Sequence, residues 1–239
     1  MPQLYAGTSG WAYPSWKPGF YPEKLAQKKF LSHYATRLNT VEVNFTFRQL
    51  VKETTIQNWM EQSPAHFRFG VKAHQVITHI KRLKGAQEFL SRFLATIEPL
   101  AAAGKLGPVL FQLPPNLKMD ASLLQDFLAI LPRTVPSAFE FRHDSWFVDS
   151  TWDLLKASNV ALCVAETETR ITPDVVTGPF VYYRFRKPSY TGEERQSMID
   201  RIQQHRADGR TVFAYFKHEE TPEGALYAAD LLREVGEAA

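Results

Sequence analysis

The chain has 239 residues, of which 44% are hydrophobic and 22% are charged, and its formal net charge is +3. This composition is typical of a globular protein with a sizeable core, and no low-complexity tract or internal repeat interrupts it. The small net charge gives no electrostatic indication of nucleic-acid binding, although a pI near 8.9 leaves that function open.

The same sequence excludes a membrane span, because no apolar run approaches the required length. The N-terminus also lacks the basic-then-apolar pattern of a secretory signal. We therefore expect a cytoplasmic protein with no membrane partner. The single cysteine, Cys163, stands in an apolar stretch and is predicted to be a buried, reduced thiol.

Short apolar runs alternate with longer amphipathic stretches along the whole chain. In chain order, the predicted strands cover residues 4–8, 40–44, 67–72, 109–112, the start of 139–146, 161–166, 180–185 and 211–216. The predicted helices cover residues 23–37, 52–62, 85–103, 122–131, 149–158, 193–207 and 225–235, and residues 167–178 have a weak helical pattern.

Eight strands alternating with helices, without a linker, predict one α/β domain over residues 1–239 with a TIM-type (β/α)8-like parallel barrel. An open doubly wound sheet is the alternative fold. No G-x-G-x-x-G fingerprint follows the first strand, which disfavours the dinucleotide-binding version of that sheet.

Polar and ionisable residues stand at the C-terminal ends of all the predicted strands, where parallel barrels build their active sites. These residues are Thr8, Ser9, Glu42, Asn44, Lys72, Gln112, Glu140, Arg142, His143, Glu166, Arg184, Lys217 and His218, and His79 follows the third strand closely. Solvation in a loop explains any one of them. Their convergence on one face of a closed barrel predicts a shared pocket.

The two strand carboxylates, Glu42 and Glu140, suit general acid and base if their pKa values are pushed apart. The alternative is that each is neutralised by a structural partner such as Arg142 or Lys72. Lys72 itself suits an electrophile, an anion anchor or an amine nucleophile, or it is a surface lysine. Arg142 and Arg184 match carboxylate or phosphate, although an ion pair with Glu140 is the simpler role for Arg142.

Metal ligation is a minority hypothesis, because no H-x-H, H-E-x-x-H or C-x-x-C spacing occurs. His79, His143 and Glu166 are the residues that a barrel would assemble for it. We therefore name no metal ligands, and the sequence identifies neither a metal requirement nor a cofactor.

An aromatic segment, residues 8–16, is a loop in which Trp11, Tyr13 and Trp16 have no helical explanation. The rings either plug the barrel end, form a lid, stack on a ring-shaped substrate or stack on nucleic-acid bases.

Five ordered motifs resemble the signatures of the YecE-like family, known as domain of unknown function 72. They lie at residues 7–11 with Trp16 and 20–22, at 41–47, at 67–72 with 78–79, at 107–115 and at 139–146. The resemblance implies a TIM-type barrel and brings no known activity. The matching family positions are Thr8, Ser9, Trp11, Glu42, Asn44, Lys72, His79, Gln112, Glu140, Arg142 and Trp146.

Three places depart from that family's pattern. Arg48 replaces a usual Tyr, Arg186-Lys187 replaces His-Gly, and Lys217-His218 replaces Asn-Asn. The resemblance therefore implies a different or more anionic ligand here, or lost activity.

The leading hypothesis is an enzyme that uses acid/base chemistry on a small polar or anionic molecule bearing a sugar or phosphate. Glu42, Glu140 and Lys72 are the candidate catalytic residues. The candidate substrate-binding residues are Thr8, Ser9, Trp11, Asn44, His79, Gln112, Arg142 and Arg184. A nucleic-acid-binding or -processing barrel and a non-catalytic ligand sensor are the alternatives, and the oligomeric state is not predicted.

Overall fold

The protein folds into a closed barrel in which eight parallel strands follow chain order and the last pairs with the first. The computed structural model describes residues 3–167, 171–217 and 219–236. The strands are β1 (Leu4–Ser9), β2 (Thr40–Val43), β3 (Arg68–Lys72), β4 (Leu106–Gln112), β5 (Ser137–Glu140), β6 (Ala161–Glu166), β7 (Phe180–Phe185) and β8 (Thr211–Phe216). The predicted barrel is thus confirmed, and the open sheet is excluded.

In these described ranges, seven α-helices cover the outside of the barrel; six of them lie between successive strands and the last follows β8. They are α1 (Phe30–Tyr34), α2 (Glu53–Glu61), α3 (Gln87–Ala102), α4 (Ala121–Ala129), α5 (Asp149–Ala157), α6 (Gly192–Ala207) and α7 (Glu223–Val235). The main core lies between these helices and the outer face of the strands. None of the helices in the described ranges is long and apolar enough to cross a membrane.

The helix predicted for residues 23–37 is wrong in length, because only Phe30–Tyr34 is α-helical, after a 3-10 turn at Gln27–Lys29. The ring of Tyr21 stacks on Phe30 with centroids 4.1 Å apart. This packing holds the preceding segment in a non-helical path, so tertiary contacts outweigh the helical pattern.

The weak helical pattern at residues 167–178 is also wrong over its described part, residues 171–178. The backbone N–H of Thr172 donates to Ala165 at 3.0 Å, and Ile171 forms a bridge with Glu166. Thr177 accepts from the backbone of Leu162 at 2.7 Å. The segment therefore runs along β6 and satisfies backbone groups there.

Side chains on the inner faces of the strands fill the barrel in two layers. The layer nearer the N-terminal ends contains packed aromatic rings: Tyr5 stacks on Phe213 with centroids 4.8 Å apart, and Tyr182 lies tilted against Tyr215 with centroids 5.1 Å apart. Cys163 is also buried there, as predicted, and burial raises the pKa of its thiol. We call this set the aromatic layer, and the charged residues lie above it at the C-terminal ends.

The phenol of Tyr34, on α1, connects β1 to β2. It accepts from the backbone N–H of Thr8 at 2.8 Å and donates to the carbonyl of Thr40 at 2.9 Å. Gly7 allows this close approach, since a Cβ there would lie 2.0 Å from the Thr40 oxygen. The first family-like motif therefore has a structural role at this junction.

Candidate functional site

Three buried charged residues meet inside the barrel: Glu42 from β2, Glu140 from β5 and Arg184 from β7. The Arg184 guanidinium donates to Glu42 Oε1 at 2.6 Å and to Glu140 Oε2 at 2.5 Å. The three side chains are at most 3% exposed. We call this set the ion triad, and its charges stay buried because they pair and hydrogen-bond with one another.

The ion triad has a definite protonation state at Glu140. Burial alone would raise the pKa of this carboxyl, but the charges of Arg184 and Arg142 outweigh burial and lower the pKa to about 2. Burial likewise opposes the charge of Arg184, and Glu42 and Glu140 outweigh it, so the pKa of Arg184 is raised. Glu140 is therefore an ionised acceptor at neutral pH rather than a proton donor.

Two hydroxyls complete the environment of Glu42. Ser9 donates to Oε1 at 2.7 Å, and the phenol of Tyr182 donates to Oε2 at 2.7 Å. Tyr182 was not among the predicted site residues. Strand alternation could have identified it, because Tyr182 stands two positions before Arg184 on the same strand and therefore faces the same side of the sheet.

A relay of hydrogen bonds links the ion triad to Lys72 at the end of β3. The Nζ of Lys72 donates to Gln112 Oε1 at 2.8 Å, and Gln112 Nε2 donates to Glu140 Oε1 at 2.8 Å. Burial and then the charge of Arg184 lower the pKa of Lys72 from its usual 10.5 to about 8, although Glu42 and Glu140 act in the opposite direction. Lys72 therefore has an appreciable neutral fraction near physiological pH.

A cleft of about 580 Å³ opens above β5, β6 and β7. Its lining residues are Pro115, Glu140, Phe141, Arg142, Ala165, Thr167, Thr172 and Arg186. Arg142 Nε lies 3.0 Å from Glu140 Oε1 and its side chain is 34% exposed, so it faces both the ion triad and solvent. We call this the cationic cleft.

The charges of the ion triad and its immediate described neighbours do not cancel. In this group four cations (Lys72, Arg142, Arg184, Arg186) surround the two carboxylates of Glu42 and Glu140, since Arg186 Nη2 also lies 3.9 Å from Glu140 Oε2. The surplus of positive charge favours an anionic ligand, which the guanidinium groups suit by shape as well as by charge.

A second, mainly apolar pocket of about 360 Å³ lies beyond the ends of β1 and β2. Trp11 and Trp59 line it and make an edge-to-face contact with centroids 5.7 Å apart. Asn44 and the exposed ring of Phe45 complete its rim. Trp16 lies outside this pocket and is fully buried. In the aromatic loop, Trp11 therefore lines the pocket and Trp16 packs in the core.

The structure thus brings most of the predicted site residues together. Around the ion triad and its relay lie Ser9, Glu42, Lys72, Gln112, Glu140, Arg142 and Arg184. Trp11 and Asn44 lie at the apolar pocket. His79 is half-buried in a π-helical turn and contacts Phe47, whose ring lies 4.1 Å from Lys72 Nζ.

Thr8 is the predicted residue that the structure does not bring to this group. It is buried, and its hydroxyl contacts Tyr34 of α1 at 2.9 Å. Neighbouring strand residues face opposite sides, so Ser9 and Thr8 do not both point into the barrel.

Several other polar strand ends are held by local partners. Lys187 lies 3.0 Å from Glu166 and 2.8 Å from Glu194, and Lys217 lies 3.4 Å from Glu219. His143 accepts from the backbone of Ser145 at the start of a 3-10 turn. His218 lies outside the described residues. Within those residues, no group of three or more His, Cys, Asp or Glu side chains is arranged to hold a metal ion.

Solved structures share this fold. A DUF72 family protein from Thermotoga maritima superposes with a TM-score of 0.86 at 24% identity, over 98% of this chain and 100% of that one. A DUF72 family protein from Enterococcus faecalis gives a TM-score of 0.79 at 18% identity, over 100% of this chain and 99% of that one. At these identities the likeness concerns the fold.

Two curated relatives match part of the sequence. UPF0759 protein YunF of Bacillus subtilis is 29% identical over 150 residues, which are 60% of this chain and 52% of the relative. UPF0759 protein YecE of Escherichia coli is 30% identical over 145 residues, which are 60% of this chain and 50% of the relative. The match spans about half the length of these relatives.

The family comparison covers nearly the whole chain. Residues 5–239 match the family described as "Protein of unknown function DUF72". The match confirms the resemblance that the five sequence motifs indicated. The chain belongs to the DUF72 family.

Proposed function

We propose that this protein is an enzyme that binds a small anionic substrate at the barrel mouth and moves a proton on it through Lys72. The position and the lowered pKa of Lys72 are the main support for this proposal. It stands at the C-terminal end of a barrel strand, beside arginines, and its pKa is lowered to about 8. A group with a pKa near the working pH can both accept and donate a proton efficiently.

This proposal changes the roles first predicted for the two carboxylates. Arg184 binds both of them, and Glu140 remains ionised to about pH 2. Such a carboxylate is a poor general acid at neutral pH. Glu140 instead orients Gln112, which in turn positions Lys72, and Glu42 fixes the other side of Arg184.

The substrate class follows from charge and shape. Arg142 and Arg186 line the cationic cleft, so they would hold a carboxylate or phosphate. Isomerisation or hydrolysis of a sugar- or phosphate-bearing molecule is the reaction class we favour, by analogy with the chemistry of other barrels.

In the part of the chain that the structure describes, no specific contact favours the nucleic-acid alternative. Three basic residues at or after the ends of β7 and β8 are already engaged: Arg184 is buried in the ion triad, Lys187 is paired with Glu166, and Lys217 lies beside Glu219. A ligand sensor would bind the same anions without turnover, so the experiment for the enzyme also tests the sensor.

The test uses inorganic phosphate and a panel of sugar phosphates, with calorimetry for binding and product analysis for turnover. We expect phosphate binding that weakens by about tenfold in an Arg142→Met, Arg186→Met double variant, since two ionic contacts are lost. Lys72→Met should keep binding and lose turnover, whereas Lys156→Met, an exposed lysine on α5, should change neither. Full turnover in Lys72→Met would overturn the assignment, and saturable binding without any product would favour the sensor.

A further inference from the structure

We propose that Lys72 forms a covalent imine with a small aldehyde or ketone that carries a carboxylate or phosphate group. The inference rests on the proposed function of the same site and narrows its substrate class to anionic carbonyl compounds. It assigns Lys72 a bond to substrate in addition to proton transfer.

The amine of Lys72 has a neutral hydrogen-bond partner. The Nζ of Lys72 donates to the neutral amide oxygen of Gln112. In residues 3–167, 171–217 and 219–236, no carboxylate lies within ion-pair distance of it. A lysine without a carboxylate partner loses its proton more readily, and only the neutral amine is a nucleophile.

Lys187 provides a matched contrast at the same end of the barrel. It follows β7, it is 21% exposed, and it lies between the carboxylates of Glu166 and Glu194. Hydrogen bonds to these carboxylates raise its pKa, whereas burial lowers that of Lys72. Of these two lysines, Lys72 is therefore the one suited to nucleophilic attack and Lys187 the one suited to remaining charged.

Two neighbouring side chains fix the orientation of Lys72. Gln112 uses its Nε2 to donate to Glu140, which leaves Oε1 to accept from Lys72. The ring of Phe47 covers another side of the ammonium, with its centroid 4.1 Å from Nζ. Contacts on these sides limit the directions from which a carbonyl carbon can approach.

Positive charge also stands beside the amine. Beyond burial, the charges of Arg184 and Arg142 lower the pKa of Lys72, and Arg142 lines the cationic cleft together with Arg186. Glu140 lines the same cleft and is linked to Lys72 through Gln112. We therefore expect a carbonyl attached to an anion in the cleft to approach the end of β3 from this side.

The covalent step balances without an oxidant or another reactant. The ammonium of Lys72 first releases a proton, and the neutral nitrogen attacks the carbonyl carbon. The C–N bond forms as the π pair of the carbonyl moves to oxygen, and a proton moves from nitrogen to that oxygen. The proton released first then protonates the hydroxyl, which leaves as water. Ammonium and carbonyl thus become a protonated imine and water, and the imine acidifies the adjacent carbon for proton transfer.

The experiment treats the full chain with glyoxylate, an anionic aldehyde, and sodium borohydride, followed by peptide mapping by mass spectrometry. At pH 8 we expect borohydride-dependent modification of Lys72 to exceed that of Lys187 by about tenfold or more, because their neutral fractions differ. Acetaldehyde, which lacks the anionic group, should modify Lys72 much less than glyoxylate does. Excess inorganic phosphate should reduce the glyoxylate adduct.

Variants and binding data separate the two proposals. Lys72→Arg should abolish the glyoxylate adduct, and Lys187→Arg should leave it unchanged. If either variant fails to fold, the peptide map of the wild-type protein still shows which lysine is modified. Equal modification of Lys72 and Lys187 by glyoxylate would overturn the imine. Phosphate binding by calorimetry together with an unmodified Lys72 would refute the imine and leave the proposed anion site standing. If phosphate does not bind and Lys72 is not modified, both the anion site and the imine are refuted.

Discussion

Arg184 on β7 lies 2.6 Å from Glu42 on β2, although these strands are not neighbours in the barrel wall and the residues are 142 positions apart in the chain. Glu140 on β5 binds the other side of the same guanidinium. Three strands are therefore connected through the interior as well as through their ladders. Because all three side chains are desolvated, the charges stabilise the fold only as a set.

Replacing Arg184 should destabilise the protein strongly. Arg184→Met removes the cation that two buried carboxylates share and leaves Glu140 with the partly exposed Arg142, which costs about 3–5 kcal/mol in the free energy of unfolding. Urea unfolding followed by circular dichroism measures this loss. Arg142→Met is the matched control, and it should cost less than about 1 kcal/mol because Arg142 is partly exposed. Equal losses in the two variants would contradict the central position given to Arg184.

Acid should weaken the fold through Glu140. Its pKa falls from 4.5 in the unfolded chain to about 2 in the native state, so the unfolded state binds more protons between these values. Stability is therefore present above pH 4.5 and is lost as pH falls towards 2. In Glu140→Gln the pH dependence in this window should be shallower by about 1.4 kcal/mol per pH unit. An unchanged slope would mean that another carboxyl controls acid unfolding.

The reactivity of Lys72 should depend on pH around its lowered pKa. Competitive labelling with a trace amine-reactive reagent should give half-maximal modification of Lys72 near pH 8. Lys187 serves as the internal reference, because its pKa is raised and its labelling should increase only at higher pH. A midpoint for Lys72 close to that of Lys187 would refute the electrostatic description of the site.

Tyr34→Phe should weaken the junction between β1 and β2. The change leaves the N–H of Thr8 and the carbonyl of Thr40 without the phenol that bridges them, and we expect a loss of about 1–3 kcal/mol in stability. Tyr13→Phe is the control, since its partly buried phenol makes one hydrogen bond, to the Ser9 carbonyl. Thermal and urea unfolding of both variants would show whether the loss is specific to Tyr34.

Sequence reasoning was accurate for strands whose apolar runs are continuous. The ranges predicted for β6, β7 and β8 match the structure, because buried parallel strands have uninterrupted apolar patterns. It predicted too long a helix before β2. There the stacking of Tyr21 on Phe30, a tertiary contact, determines the backbone conformation in place of local helix propensity. Local pattern carries no information about such packing.

The grouping of the polar strand ends was predictable, and their connections were less so. Polar residues at strand ends predicted side chains that converge at the barrel mouth, but they did not indicate that Arg184 binds both Glu42 and Glu140. Which inward residues meet depends on the stagger of strands around the closed barrel, and a single sequence does not contain that information. Thr8 is different, since strand alternation alone assigns it and Ser9 to opposite faces.

The aromatic layer has a consequence for how ligands move. Its stacked rings, including Tyr5 and Phe213, fill the barrel below the ion triad. A molecule bound at Lys72, as proposed, would therefore enter and leave by the barrel mouth. In the proposed reaction the next substrate would have to wait for the product to depart, so retention of an anionic product by Arg142 and Arg186 would limit turnover.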